Sequence, residues 1–130
     1  MSEDTDFDLV RRAYAAFSAG DLDEFEKLLD PAVVHVVPGT HSMAGTFRGA
    51  AAVLANLRDT AAATDGMNVV VERLFADLGG RIIAVDRTRA SRNGRTIDEI
   101  GTILFTIADG RITQLVEFYA DPAVIEGFWR

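Results

Sequence analysis

The spacing of apolar residues changes near position 68, and the two periods predict different structure on either side of it. In the first part Phe7, Val10, Tyr14 and Phe17 recur every three or four residues, forming one stripe of an amphipathic helix. Thr5 is placed to cap that helix, with Asp8 three residues on, and the helix should run through Ala19. Ala19-Gly20-Asp21 ends it. Asp21 with Glu24 then opens a short second helix that buries Phe25, Leu28 and Leu29 and is closed by Pro31. Val33-Val34-His35-Val36-Val37 is almost wholly β-branched and bounded by prolines, which predicts a strand. A loop rich in Gly, Ser and Thr follows from Pro38 to Gly49, with a short extended piece around Phe47. It leads to a third helix from Ala50 to about Ala63, apolar at Val53, Leu54 and Leu57.

Beyond Asn68 the pattern is that of strands, at 68–78, 81–92, 95–108 and 111–120. Gly79-Gly80, Asn93-Gly94 and Asp109-Gly110 punctuate them, and all three are hairpin signals. Consecutive hairpins make an antiparallel meander, so the chain reads as α+β, with helices covering one face of a curved sheet. Its 130 residues form a single domain, 1–130, without repeat or linker.

Hairpin register decides which side chains share a face. A two-residue Asn93-Gly94 turn pairs Arg92 with Arg95 and sets Ala90, Thr88 and Asp86 opposite Ile97, Glu99 and Gly101. The other face of that strand carries Arg81, Arg87 and Arg89, which would be costly to bury, so Ala84, Asp86, Thr88, Glu99 and Gly101 belong to the concave side. The last hairpin has two readings. A three-residue loop at Ala108-Asp109-Gly110 turns Leu115, Glu117 and Tyr119 inward, with Glu117 opposite Gly101 and Tyr119 opposite Glu99. A two-residue Asp-Gly turn points Val116 and Phe118 inward instead.

Charge narrows the function classes. The formal charge is −7, Lys27 is the only lysine and the arginines are scattered, so no phosphate-binding patch is expected and nucleic acid is an unsuitable partner. There is no cysteine, and His35 and His41 stand outside any HxH or HxxxH spacing, so no metal is expected. The N-terminus is acidic and no stretch approaches the roughly 20 apolar residues of a membrane span, so no membrane partner and a cytoplasmic location are expected.

Several motifs together resemble one family. Val10-Arg11-Arg12-Ala13-Tyr14-Ala15-Ala16-Phe17 followed by Ala19-Gly20-Asp21-Leu22 resembles the opening of SnoaL-like polyketide cyclase and ketosteroid isomerase-like proteins of the nuclear transport factor 2-like superfamily. So do Asp30-Pro31-Ala32-Val33-Val34, Ala44-Gly45-Thr46-Phe47-Arg48-Gly49, Asp109-Gly110-Arg111-Ile112 and Glu117-Phe118-Tyr119-Ala120-Asp121. The resemblance implies a cone-shaped curved antiparallel sheet wrapped around three N-terminal helices and enclosing one pocket. It favours the register that turns Glu117 and Tyr119 inward. Asp86, Glu99 and Glu117 then converge around Gly101, where desolvation and mutual repulsion should raise at least one pKa.

The departures from the family are equally informative. At the positions a steroid isomerase uses for its tyrosine, base and acid stand Ala13, Val36 and Ile103, so that mechanism is not expected. His35 falls one residue from the histidine many relatives carry, and it is expected to face away as a structural residue. The pocket has no central arginine, which ranks epoxide hydrolysis low. The resemblance to SnoaL-like proteins implies an enzyme without metal or cofactor, an isomerase or cyclase acting by general acid–base chemistry on an apolar carbonyl-containing molecule; the alternative is a non-catalytic small-ligand-binding or assembly domain. Glu117 is the expected proton acceptor, Tyr119 the hydrogen-bond donor, and Asp86 or Glu99 the tuning partner. Tyr14, Phe17, Val36, His41, Ile103, Phe105, Asp121 and Trp129 are the expected substrate contacts. The convex face should carry Ile83, Val85, Ile100, Leu104, Val116 and Phe118, an apolar patch suited to a homodimer.

Overall fold

The computed structural model describes residues 3–77 and 79–130, so the end expected for the third of the predicted strands at 78 lies outside the described residues. Helix α1 spans Glu3–Ser18 and is already helical at Glu3, which puts Thr5 inside it rather than at its cap. Its end is a glycine motif: Gly20, at φ +70°, lets its own N–H reach Phe17 O and the Asp21 N–H reach Ala16 O, at 3.0 and 2.8 Å. Asp21 caps α2 (Leu22–Lys27) by accepting from the Glu24 N–H at 3.1 Å. The Glu24 carboxylate does not return to the cap. It pairs with Arg12 instead, at 2.8 Å.

Strands β1 (Leu29–Val37) and β2 (Gly45–Arg48) precede α3 (Ala50–Ala62), and β3 (Gly66–Ala76), β4 (Arg81–Arg92), β5 (Arg95–Ala108) and β6 (Arg111–Tyr119) follow it. They form one six-stranded curved sheet in the order β2-β1-β6-β5-β4-β3. Every neighbouring pair is antiparallel except β1 and β6, which run parallel. Asn93-Gly94 and Asp109-Gly110 both have positive φ at their two central residues, as a hairpin turn matched to strand twist requires. The β4–β5 register is the expected one, with Asp86 opposite Gly101 and Thr88 opposite Glu99.

The β5–β6 hairpin combines the two registers open to the sequence. Its turn has two residues, since Ala108 pairs with Arg111 and Ile107 with Ile112. Thr113 is then an extra residue, because the next pair is Thr106 with Gln114. This bulge, where the Thr113 hydroxyl donates to Thr106 O at 3.1 Å, switches the strand's faces, so Ile112 and Leu115 are both buried inward. Glu117 and Tyr119 consequently face inward, as expected. Their partners are shifted by two residues: Glu117 sits opposite Ile103 rather than Gly101, and Tyr119 opposite Gly101 rather than Glu99.

Two apolar clusters line the concave side. The larger joins α1, α2 and α3 to the closed end of the sheet, with Val10, Val33, Val53, Ile82, Phe105 and Ile112 fully buried. The smaller lies at the other end. It is built on helix α4 (Pro122–Trp129), whose Ile125, Phe128 and Trp129 pack with Ala90 and, more loosely, with Met43 and Ile97. The hydrophobic pattern did not announce α4 as a helix, although Asp121-Pro122 is a start signal with proline in the first turn.

Candidate functional site

A cavity of about 150 Å³ lies between the two clusters, and the strand register stacks its polar groups in layers. Above the apolar floor of Ile82, Phe105 and Leu115 comes the level of Ala84, Ile103 and Glu117. Next is the level of Asp86, Gly101 and Tyr119, and then that of Thr88 and Glu99, beyond the end of β6. Tyr14, Phe17, Ile103, Phe105, Asp121 and Trp129 all line the cavity, as does His41 on the loop before β2.

Asp86 is only 4% exposed, and the Tyr14 hydroxyl donates to its Oδ2 at 2.7 Å. Burial pushes the Asp86 carboxyl up to about 6, Glu117 adds to the rise, and hydrogen bonds from Tyr14 and the Gly101 backbone oppose it. Gly101 leaves little spare room, since a Cβ there would meet Asp86 Oδ1 at 3.1 Å. Tyr14, buried and facing a carboxylate, is driven well above the usual phenol range and stays a donor. A carboxyl whose folded value is raised favours folding below its unfolded value near 3.8, and that contribution is lost as pH rises through about 6. Relative to Asp86→Asn, the wild type should therefore lose about 2 kcal/mol of stability between pH 4 and 7. Urea unfolding of both proteins across that range checks this; parallel curves would contradict it.

His35 corrects the expectation most. It is 2% exposed and points into the cavity, with Nε2 2.5 Å from Glu117 Oε2. An ionised carboxylate only accepts, so Nε2 carries the proton, while Nδ1 is buried without a partner. Val36, expected to touch substrate, lies on the opposite face and does not line the cavity; there it neighbours Val116. The physical reason is alternation: Val33, His35 and Val37 are the buried positions of β1 after an irregularity between Leu29 and Val34. The other Glu117 oxygen lies 3.4 Å from the Tyr119 hydroxyl, a long contact. Burial, then Glu117, raises Tyr119 above the usual phenol range, so it too remains a donor.

Glu99 lines the cavity one level nearer its mouth, and no hydrogen bond or ion pair links it to Glu117 or Asp86. The cluster is thus a stack with Glu117 and Asp86 coupled and Glu99 apart, rather than three carboxylates around Gly101. Among the described residues, no arginine or lysine lines the cavity. Among the described residues, no three His, Asp or Glu side chains gather as a metal site.

A sequence profile of the SnoaL-like domain matches residues 10–115, most of the chain. The chain belongs to the SnoaL-like family. Uncharacterised proteins of Mycobacterium tuberculosis and Mycobacterium bovis are 53% identical to this SnoaL-like chain over 130 residues, covering 99% of both sequences in each case. Among solved structures, Bal32a from a soil-derived mobile gene cassette is 30% identical and superposes with a TM-score of 0.94 over 98% of each chain. TerC, co-crystallised with polyporic acid, is 20% identical with a TM-score of 0.85, covering 95% of this chain and 97% of its own, a likeness of fold. The nuclear transport factor 2-like cone is therefore the architecture of this SnoaL-like protein.

Proposed function

We propose that the cavity is an acid–base site for a small, mostly apolar, carbonyl-containing molecule, performing an isomerisation or cyclisation without a metal or cofactor. The observation that carries this reading is the pair of coupled carboxyls in unlike surroundings. Glu117 accepts from His35 and faces Tyr119, while Asp86 is sealed beside Tyr14 and pushed up to about 6. Glu117, partly exposed at 22%, takes a proton from carbon next to the carbonyl. Tyr119 supplies a hydrogen toward the oxygen on which charge develops, with Asp86 as the tuning partner beneath it. His35 is a positioning residue that holds one Glu117 oxygen. Glu99 and Asp121, with no cation lining the cavity, weigh against an anionic substrate. A protein of the same fold holding polyporic acid supports a small organic ligand.

The test is deuterium incorporation next to the carbonyl in a panel of apolar ketones and esters incubated in D₂O. Exchange catalysed by the wild type and lost in Glu117→Gln supports the reading. The deep burial of Asp86 and Tyr14 favours a second reading, a binder that kept the cone without turnover; catalysis of exchange would remove it.

We also propose a homodimer through the convex sheet face. One apolar row there runs across five strands, Phe75–Ile83–Leu104–Val116–Val36, and Val85, Ile100 and Phe118 flank it. Phe75 and Phe118 are 51% and 53% exposed, more than a monomer leaves open at low cost.

A further inference from the structure

We infer that α4 is a hinged lid whose opening admits the ligand to the cavity, which rests on the reading of that cavity as the ligand site. Three observations converge on it. First, α4 belongs to its own apolar cluster, separated by the cavity from the main core, so it can leave without breaking that core. Ile125 and Trp129 form part of the cavity wall, so its departure opens the cavity.

Second, side-chain clasps tie the middle and the C-terminal end of the helix to other elements. The Glu126 carboxylate accepts from the Thr40 N–H at 2.7 Å and from the Thr40 hydroxyl at 3.3 Å. Gly39 is shaped to this clasp: a Cβ there would meet Glu126 Oε1 at 2.4 Å, and its φ of +117° suits glycine. At the far end Arg92 donates to the backbone oxygens of Phe128 and Arg130 at 3.3 and 3.2 Å, and Arg95 donates to Arg130 O. Arg92 also lies over the Trp129 ring, and His41 stacks with the same ring at 6.0 Å and 19°. The clasps are mostly solvent-exposed, hence cheap to exchange for water.

Third, the closed position leaves a polar group unsatisfied. His41 Nδ1 accepts from the Met43 N–H at 3.2 Å, so in the neutral ring Nε2 carries the proton, and burial, its largest influence, favours that neutral form. Nε2 is buried without a well-formed hydrogen bond, only the Pro38 backbone oxygen lying near the ring, a cost relieved when α4 lifts and water reaches it. The hinge is Ala120 and Asp121, both exposed; the Asp121 side chain makes no capping bond that would fix the start of the helix. A helix of eight residues is also too short to hold its shape alone, so lifting and melting both count as opening.

Hydrogen exchange and ligand kinetics on the intact protein test this together. Amides of α4 should exchange about 100-fold faster than those of β5, by a local route insensitive to mild denaturant. Glu126→Ala should speed α4 exchange about tenfold further while leaving β5 unchanged. Trp129 is the only tryptophan, so its quenching by 2-acetonaphthone in stopped flow reports entry, and the association rate should rise about tenfold in the same variant. Protection in α4 equal to that in β5 would overturn the lid. Faster exchange with an unchanged association rate would overturn its role as the gate. A probe that leaves Trp129 unquenched at millimolar concentration in both proteins would defeat the ligand-site reading, and the gate with it.

Discussion

Replacing Glu117 by Gln should reduce catalysed exchange or turnover by about 10²- to 10⁴-fold while the protein still folds. The amide has the volume of the carboxyl, and its oxygen can still accept from His35 Nε2–H, so little packing is lost. What disappears is the capacity to take a proton in the substrate's reach. Asp86 cannot substitute, because it is 4% exposed and its Oδ2 is engaged by Tyr14. Circular dichroism and urea unfolding of the variant establish the fold; the rate on a ketone that the wild type exchanges establishes the chemistry. A variant retaining full activity would move the base elsewhere.

Val116→Glu should convert a dimer to a monomer. Val116 sits between Leu104 and Val36 within the convex row, so a two-fold pairing would bring one carboxylate from each copy into that apolar face. Leaving such charges unpaired there costs enough to weaken association by about 100-fold or more. Arg87 and Arg89 beside the row are already engaged within one chain, both by Asp98, at 2.6 and 3.4 Å. Light scattering or sedimentation of both proteins decides it. A wild type that stays monomeric at high micromolar concentration would refute the pairing.

Local chemistry made most of the fold legible. Asn93-Gly94 alone determines the β4–β5 register, and with it Asp86 beside Gly101, because a two-residue turn fixes every later pair. The site was half legible for the opposite reason. Thr113 is a bulge that nothing in its neighbours marks, and together with the two-residue turn it moved Glu117 and Tyr119 two residues along β5 while keeping them inward. His35 was misread because β1 joins β6 in parallel, a long-range pairing with an irregular stretch before Val34. The available signal was simple alternation: with Val33 buried, His35 and Val37 share its face. The Tyr14–Asp86 bond joins residues 72 apart and has no trace in local sequence.

The account's central claim is that Asp86 is a buried carboxyl held above the usual carboxylate range beside Tyr14 and Glu117, and carboxyl-¹³C NMR titration tests it most directly. Asp86 should titrate with a midpoint of about 6, and Tyr14→Phe should move it higher still, because that hydroxyl is the bond that lowers it. An Asp86 that titrates near 4, as a water-exposed carboxyl does, and ignores the loss of the Tyr14 hydroxyl would contradict the account.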